Sequence, residues 1–199
     1  MVAQQIRARG VRDERVLDAL ERVPRESFIP DDLRHEAHRD CPVPIGHGQT
    51  ISQPYIVGYM TEALRLEPHH RVLEIGTGCG YQTAVLAELA AEVYSIELIP
   101  ELADRAREAL QGMGYANVTI RTGDGYHGWP ERAPFDRIIG AAAAPDVPAA
   151  LVEQLADGGL LVMPVGVSYQ ELRVLEKRGS SLETLTTLPV RFVPMVRAH

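Results

Sequence analysis

The chain has 199 residues, of which 45% are hydrophobic and 24% charged. That is room for one well-buried core at an ordinary globular composition, so neither a disordered chain nor a multidomain array is expected. Its 20 basic and 27 acidic residues leave a formal charge of −7, which argues against a broad nucleic-acid footprint. Cys41 and Cys79 form neither a disulfide framework nor a metal spacing, no signal-peptide core opens the chain, and no apolar run approaches membrane-spanning length. A soluble protein of a reducing, cytoplasmic compartment is expected.

In chain order, Val11, Val16, Leu17, Leu20 and Val23 recur at helical spacing around a candidate cap, Asp13, and predict a helix that Pro24 ends. From Phe28 to Gln53 the pattern breaks at Pro30, Pro42, Pro44, Gly46 and Gly48, and so long an irregular stretch reads as a lid or binding loop. A helix is expected from Pro54, carrying Ile56, Met60, Ala63 and Leu64 inward. Beyond it, strands near 71–75, 93–97, 118–122, 135–140 and 159–165 alternate with helices near 80–90, 100–113 and 147–156. Pro100 and Pro148 open two of those helices, and Gly114 and Gly158 close them. The tail reads as two strands, 172–176 and 190–195, joined through Gly179, Ser180 and Ser181. The expected fold is α/β, a doubly wound, mostly parallel sheet with an antiparallel C-terminal edge.

The chemistry concentrates where the first strand of that sheet runs into Gly76, Gly78 and Gly80. Lacking Cβ atoms, these residues let the backbone turn sharply and pass close to a ligand. The helix that follows offers its N-terminus to a negative group. Glu97 ends the next strand about 20 residues on, the separation at which an acid reaches ribose hydroxyls. A dinucleotide fingerprint would place its third glycine at position 81, which is Tyr81, and Glu74 stands two residues before the first glycine. Such a loop suits a ligand with no pyrophosphate and a cationic amino-acid end, such as S-adenosylmethionine; taken alone, it equally fits a plain strand-to-helix turn. Asp124, in the loop after the third strand, can accept from an adenine amino group or simply form an Asp-Gly turn. Glu74, Glu97 and Asp124 together are expected on one rim, around a cofactor pocket. Ser52, just before Pro54, suits either a helix cap or an acceptor-holding hydroxyl.

The run Gly48-Gln49-Thr50-Ile51-Ser52-Gln53-Pro54-Tyr55-Ile56-Val57, followed by Glu74 to Gln82, closely resembles the protein-L-isoaspartate (D-aspartate) O-methyltransferase family. So do Gly123-Asp124-Gly125-Tyr126 with Gly128-Trp129-Pro130, Pro134-Phe135-Asp136, Ala142-Ala143-Ala144-Pro145 and Val190-Arg191-Phe192-Val193-Pro194, in family order along nearly the whole chain. The resemblance implies a Rossmann-like class I methyltransferase that esterifies the free carboxyl of L-isoaspartyl, and less readily D-aspartyl, residues in damaged proteins, initiating repair through a succinimide. It implies Ser52 as the active-site residue, cofactor contacts from Glu74, Gly76, Thr77, Gly78, Glu97, Leu98, Asp124 and Gly125, and substrate contacts from Thr50, Ile51, Ser52 and Gln53. Three positions depart from the family pattern: Cys79 replaces a serine, Gly140-Ala141 replaces a pair that often includes threonine, and His38 stands where a tyrosine is common.

On this reading residues 1–199 are one methyltransferase domain, with 1–70 a helical and loop extension over the site, acting as a monomer without metal, nucleic acid or membrane. The nucleophile is the substrate's own carboxylate, so no strong base is needed; Ser52 and free N–H groups of the following helix's first turn are expected to hold it. Two other readings are a methyltransferase acting on RNA or a small molecule and a non-catalytic adaptor. The histidines read as loop or surface residues, Trp129 and Phe135 as packing anchors, and Cys79 as a small packing residue.

Overall fold

A computed structural model describes residues 1–198. Its centre is a seven-stranded sheet with the order β5-β4-β3-β6-β7-β8-β9. The strands are β3 (Arg71–Ile75), β4 (Glu92–Glu97), β5 (Val118–Thr122), β6 (Phe135–Gly140), β7 (Leu155–Val165), β8 (Gln170–Arg178) and β9 (Ser181–Val190). Strands β3 to β7 run parallel, while β8 and β9 add antiparallel. The order reverses at β3, whose neighbours are β4 and β6, and a crevice opens there at the carboxyl ends of the strands.

The apolar alternation of the central strands sends residues to opposite faces. Leu73, Ile75, Tyr94, Ile96 and Ile138 pack with Trp129, Phe135 and Leu151 of α5 (Ala149–Gln154). On the other face Val72, Val93, Ile139 and Val162 pack with Leu86 of α3 (Tyr81–Ala87) and with Met60 and Leu64 of α2 (Pro54–Ala63). Of the four residues expected inward on α2, Met60 and Leu64 are buried, whereas Ile56 and Ala63 are only half covered. Lys177, the only lysine of the chain, donates to the carbonyls of Val152 and Leu155 at 2.7 and 2.6 Å. It thereby joins β8 to the C-terminal end of α5.

The N-terminal segment packs over α2 and α3. Asp13 caps α1 (Glu14–Arg22), its side chain accepting from the Arg15 N–H, and the helix stops at Val23 before Pro24. Leu17 and Leu20 join Ile6, Val11, Val57 and Tyr81 in one core cluster, each fully buried leucine contributing roughly 1.5–3 kcal/mol. The contact with α2 is close enough that a Cβ on Gly58 would lie 2.7 Å from Ile6 Cγ2. Glu62 ties the same elements, one carboxylate oxygen accepting from the N–H groups of Arg12 and Asp13 at 2.6 and 2.8 Å.

Three expectations need correction. The stretch 28–53 is not structureless: turns Arg25–Phe28 and Asp31–Glu36 lead into a hairpin, β1 (Val43–Gly46) paired with β2 (Gln49–Ile51). Its anchor is distant in sequence, Arg105 of α4 (Pro100–Gly112) donating to the Ile45 carbonyl at 2.6 Å. The last strand is Ser181–Val190 instead of 190–195; the turn through Gly179 and Ser180 is where it was expected, and residues 191–198 return across the sheet's end. Gly158 does not close α5, which stops at Gln154; it lies in the irregular start of β7, where pairing with β6 shifts register.

Candidate functional site

Gly76, Gly78 and Gly80 have φ of +92°, +56° and +91°, a left-handed backbone that a side chain would strain. The loop they form is stapled to the end of β4 by Glu97. One carboxylate oxygen accepts from the Gly78 N–H at 2.8 Å and the other from the Ile99 N–H at 3.0 Å. Glu97 also borders a cleft with Gly76, Gly78, Leu98, Ile96 and Gly125. Gly125 admits no larger residue, since a Cβ would sit 2.4 Å from Ile75 Cγ2. The far wall is the returning tail, Val193 to Val196.

Glu74 is not on this rim. Strand alternation turns it to the face of Val72, where it is wholly buried beneath the loop. Its Oε2 accepts from Thr83 and Ser95 at 2.5 and 2.6 Å, while its Oε1 has no partner. Burial pushes its pKa up to about 7 against those two hydrogen bonds. Glu74 therefore supports the loop from below and does not line the cleft. Thr77 belongs to the same layer, its hydroxyl 2.5 Å from that of Ser95.

Asp124 caps a short turn, Oδ1 accepting from the Tyr126 N–H at 2.8 Å, as a plain Asp-Gly turn would have it. Its Oδ2 accepts from the Ala198 N–H at 3.2 Å, so an amino group of a ligand would share that oxygen with the tail.

Ser52 lies on the other side of the loop. The cap residue of α2 is Gln53, with Pro54 at the first helical position, so Ser52 precedes the cap and its hydroxyl is free of that duty. Part of the first turn of α2 is already served, however. Asp40 accepts from the Tyr55 N–H at 3.2 Å and from the Gln53 amide at 2.8 Å, and Arg9 pairs with Asp40 at 2.6 Å. The expectation that first-turn N–H groups hold a substrate carboxylate is narrowed accordingly: Pro54 has no N–H, Asp40 accepts from Tyr55, Val57 donates to the Gln53 carbonyl, and the Ile56 N–H, beside the groove, is the one left.

Three spaces join here. A groove of about 790 Å³ runs past Ser52, Gln53, Tyr55 and Ile56 to residues 188–193. The cleft beside Glu97 holds about 90 Å³, and a cavity of about 40 Å³ lies between Ile51, Ser52 and residues 76–79. Thr50 and Ala141 border all three. A Cβ on Gly76 would lie 3.4 Å from the Ala141 Cβ, so the glycine loop passes close to this residue. Cys79 borders the small cavity with its thiol pushed up to about 11 by burial, a neutral packing group.

Sequence reasoning overlooked Asp40, Arg25 and the tail segment 193–196. Asp40 and Arg25 have no local signature, because each acts on a residue at least a dozen positions away. The tail carried a signal in its Phe-Val-Pro run, which was read as strand.

The model of one family, described as protein-L-isoaspartate (D-aspartate) O-methyltransferase, matches residues 1–199. A Synechococcus sp. protein named protein-L-isoaspartate O-methyltransferase is 56% identical over 98% of this chain and 84% of its own length. The Gloeobacter violaceus protein of that name is 51% identical over 99% of this chain and 97% of its own. Among solved structures, a Plasmodium falciparum protein described as a protein-L-isoaspartate O-methyltransferase, in complex with S-adenosyl-L-homocysteine, superposes with a TM-score of 0.86 at 25% identity over 99% of this chain and 97% of that one. A second structure, named protein-L-isoaspartate O-methyltransferase, gives a TM-score of 0.86 at 28% identity over 94% of this chain, which spans 62% of that longer one.

Proposed function

The chain belongs to the protein-L-isoaspartate (D-aspartate) O-methyltransferase family, and from that membership and the joined cavities we propose that it methylates the free carboxyl of isoaspartyl residues in damaged proteins. S-adenosylmethionine is the methyl donor, D-aspartyl residues are a second substrate, and the methyl ester initiates repair through a succinimide. The observation that carries this reading is the meeting of the Glu97 cleft and the Ser52 groove at Thr50 and Ala141.

The cleft fits the donor on its own terms. Gly76 and Gly78 expose backbone without side chains, Glu97 borders the cleft with acceptor capacity left beyond its bonds to the Gly78 and Ile99 N–H groups, and Ile75, Ile96, Leu98 and Ile99 supply apolar surface for an aromatic base. Bound there, the cofactor supplies an electrophilic methyl group on a sulfonium.

The chain's residues have little proton chemistry to perform. The carboxyl released by an isoaspartyl linkage is of the α type, with a pKa of about 3.3–3.7, and is ionised at neutral pH. Ser52 donates its hydroxyl to that carboxylate and orients it toward the small cavity. Thr50, Ile51 and Gln53 shape the approach, and the tail 193–196 with the hairpin β1–β2 excludes water from the junction. Placement and desolvation of two oppositely charged reactants supply the rate.

In this reading residues 1–199 are one methyltransferase domain and 1–70 an extension over the site, which is supported by the packing of α1, α2 and the hairpin on α3 and α4. The protein works as a monomer in the cytoplasm; the unpaired Cys41 and Cys79 suit a reducing compartment. No helix among the described residues is long and apolar enough to cross a membrane.

The test is a pair of peptides of one composition differing only in an isoaspartyl or a normal aspartyl linkage, incubated with methyl-labelled cofactor. Label is expected in the isoaspartyl peptide alone; equal labelling, or none, would overturn the reading.

A further inference from the structure

Arg25 is buried to 1% exposure and pairs with no carboxylate among the described residues. Its Nε donates to the Ala37 carbonyl and its Nη2 to the Ser52 carbonyl, both at 2.8 Å. The guanidinium lies 4.9 Å from the centre of the Tyr81 ring, and Nη1 is buried with no acceptor. Burial pulls its pKa down, and the neighbours that oppose this are Tyr81, whose hydroxyl is likewise buried without a partner, Cys79 and Cys41. Burial pushes Tyr81 up to about 12 and Cys79 up to about 11, so both are neutral at physiological pH and neither balances the charge. A buried guanidinium with no counter-charge is costly, and an anion beside it removes that cost.

The residues Arg25 touches say where that anion belongs. Ser52 and Tyr81 both border the small cavity beside the glycine loop, together with Cys79. The N-terminus of α2 offers less positive potential, because Asp40 already accepts from its Tyr55 N–H.

We propose that Arg25 is a positioning residue for the acceptor: it fixes the Ser52 backbone and supplies, from behind the cavity wall, the positive charge that the bound substrate carboxylate balances. The proposal rests on the reading of the Ser52 segment as the acceptor site. Arg25 itself touches neither substrate nor cofactor. It acts through the residue 52 backbone and through its field, which the low-polarity surroundings leave poorly screened.

The experiment measures binding of an isoaspartyl peptide, and of the same peptide with a neutral carboxamide in place of that carboxylate, to the enzyme saturated with S-adenosylhomocysteine. The wild-type protein is expected to prefer the carboxylate by about 30-fold, and Arg25→Met to lower that preference to about threefold or less while binding S-adenosylhomocysteine normally. Arg25→Lys keeps the charge but cannot span both carbonyls; it is expected to retain a preference of about tenfold with a reduced kcat. Equal weakening of both peptides in Arg25→Met would mark a structural role only and overturn the proposal, as would an undiminished preference. Should Arg25→Met fail to fold, Arg25→Gln decides: a preference of about threefold or less supports the proposal and an undiminished one overturns it. Ser52→Ala with normal turnover would sink the Ser52 assignment alone, because the charge preference is read independently of it.

Discussion

The two sides of the site are built differently. The cofactor side is built around one continuous piece of chain, from β3 through α3 to the end of β4, with the tail 193–196 as its far wall, and its polar ties fall within that piece: Glu97 to Ile99, Thr83 to Glu74, Glu97 to Gly78. The acceptor side is assembled from fragments. Arg25 reaches Ser52, Arg9 reaches Asp40, Arg105 of α4 reaches Ile45 of the hairpin, and residues 188–193 from the far end of the sheet line its groove. The difference teaches that a common nucleoside cradle needs only local backbone geometry, whereas recognition of an unusual carboxyl is held by long-range polar ties that can vary without disturbing the cradle.

If the two sides are separable, substitutions in one should leave binding at the other intact. Glu97→Ala removes the ribose acceptor and the staple on Gly78, and is expected to weaken S-adenosylhomocysteine binding by about 100-fold in calorimetry. Peptide binding to the cofactor-saturated protein should then change by less than about threefold; parallel losses would break the separation. Ser52→Ala is expected to reduce kcat/KM for an isoaspartyl peptide by about 30-fold with wild-type cofactor affinity. A loss confined to cofactor binding would put residue 52 on the wrong side.

Glu74 sharpens the comparison through pH. Its folded pKa of about 7 lies above the ordinary carboxyl value of 4.5, so its stabilising contribution is complete below about pH 4.5 and is lost as pH rises through 7. Over pH 5 to 8 the wild-type protein should lose about 2–3 kcal/mol relative to Glu74→Gln in denaturant titrations. Parallel curves for the two proteins would contradict the buried-acid assignment. The smallest effect is reserved for Lys177→Met, which frees the end of α5 far from either side. About 1 kcal/mol of stability should go, with kcat/KM unchanged; a change in kcat/KM would show that the sheet edge reaches the site.

The same contrast explains what the sequence disclosed. Strand β3, its glycines and Glu97 were legible because apolar period, glycine and acid fall within one short stretch governed by backbone sterics. Even there Glu74 was misplaced: distance from the glycines put it at the rim, while alternation along β3 turns it under the loop. The hairpin β1–β2 was hidden because its strands are four and three residues long and carry Pro44, and its support comes from α4. Strand β9 was displaced because Ser181–Val190 is a mostly exposed edge without a buried apolar face, while the more apolar run after it lines the cleft. Neither Asp40 capping α2 nor Arg25 beneath Ser52 could be read locally, since nothing near either residue names its partner.

The most direct test of the joined-cavity account is a crystal structure of the protein with S-adenosylhomocysteine and an isoaspartyl peptide together. The account predicts the nucleoside against Glu97, the ligand sulfur beside residues 76–79, and a peptide carboxylate oxygen on the Ser52 hydroxyl, facing that sulfur across the space bordered by Thr50 and Ala141. A nucleoside bound elsewhere, or a carboxylate held away from Ser52 with its back to the sulfur, would contradict it.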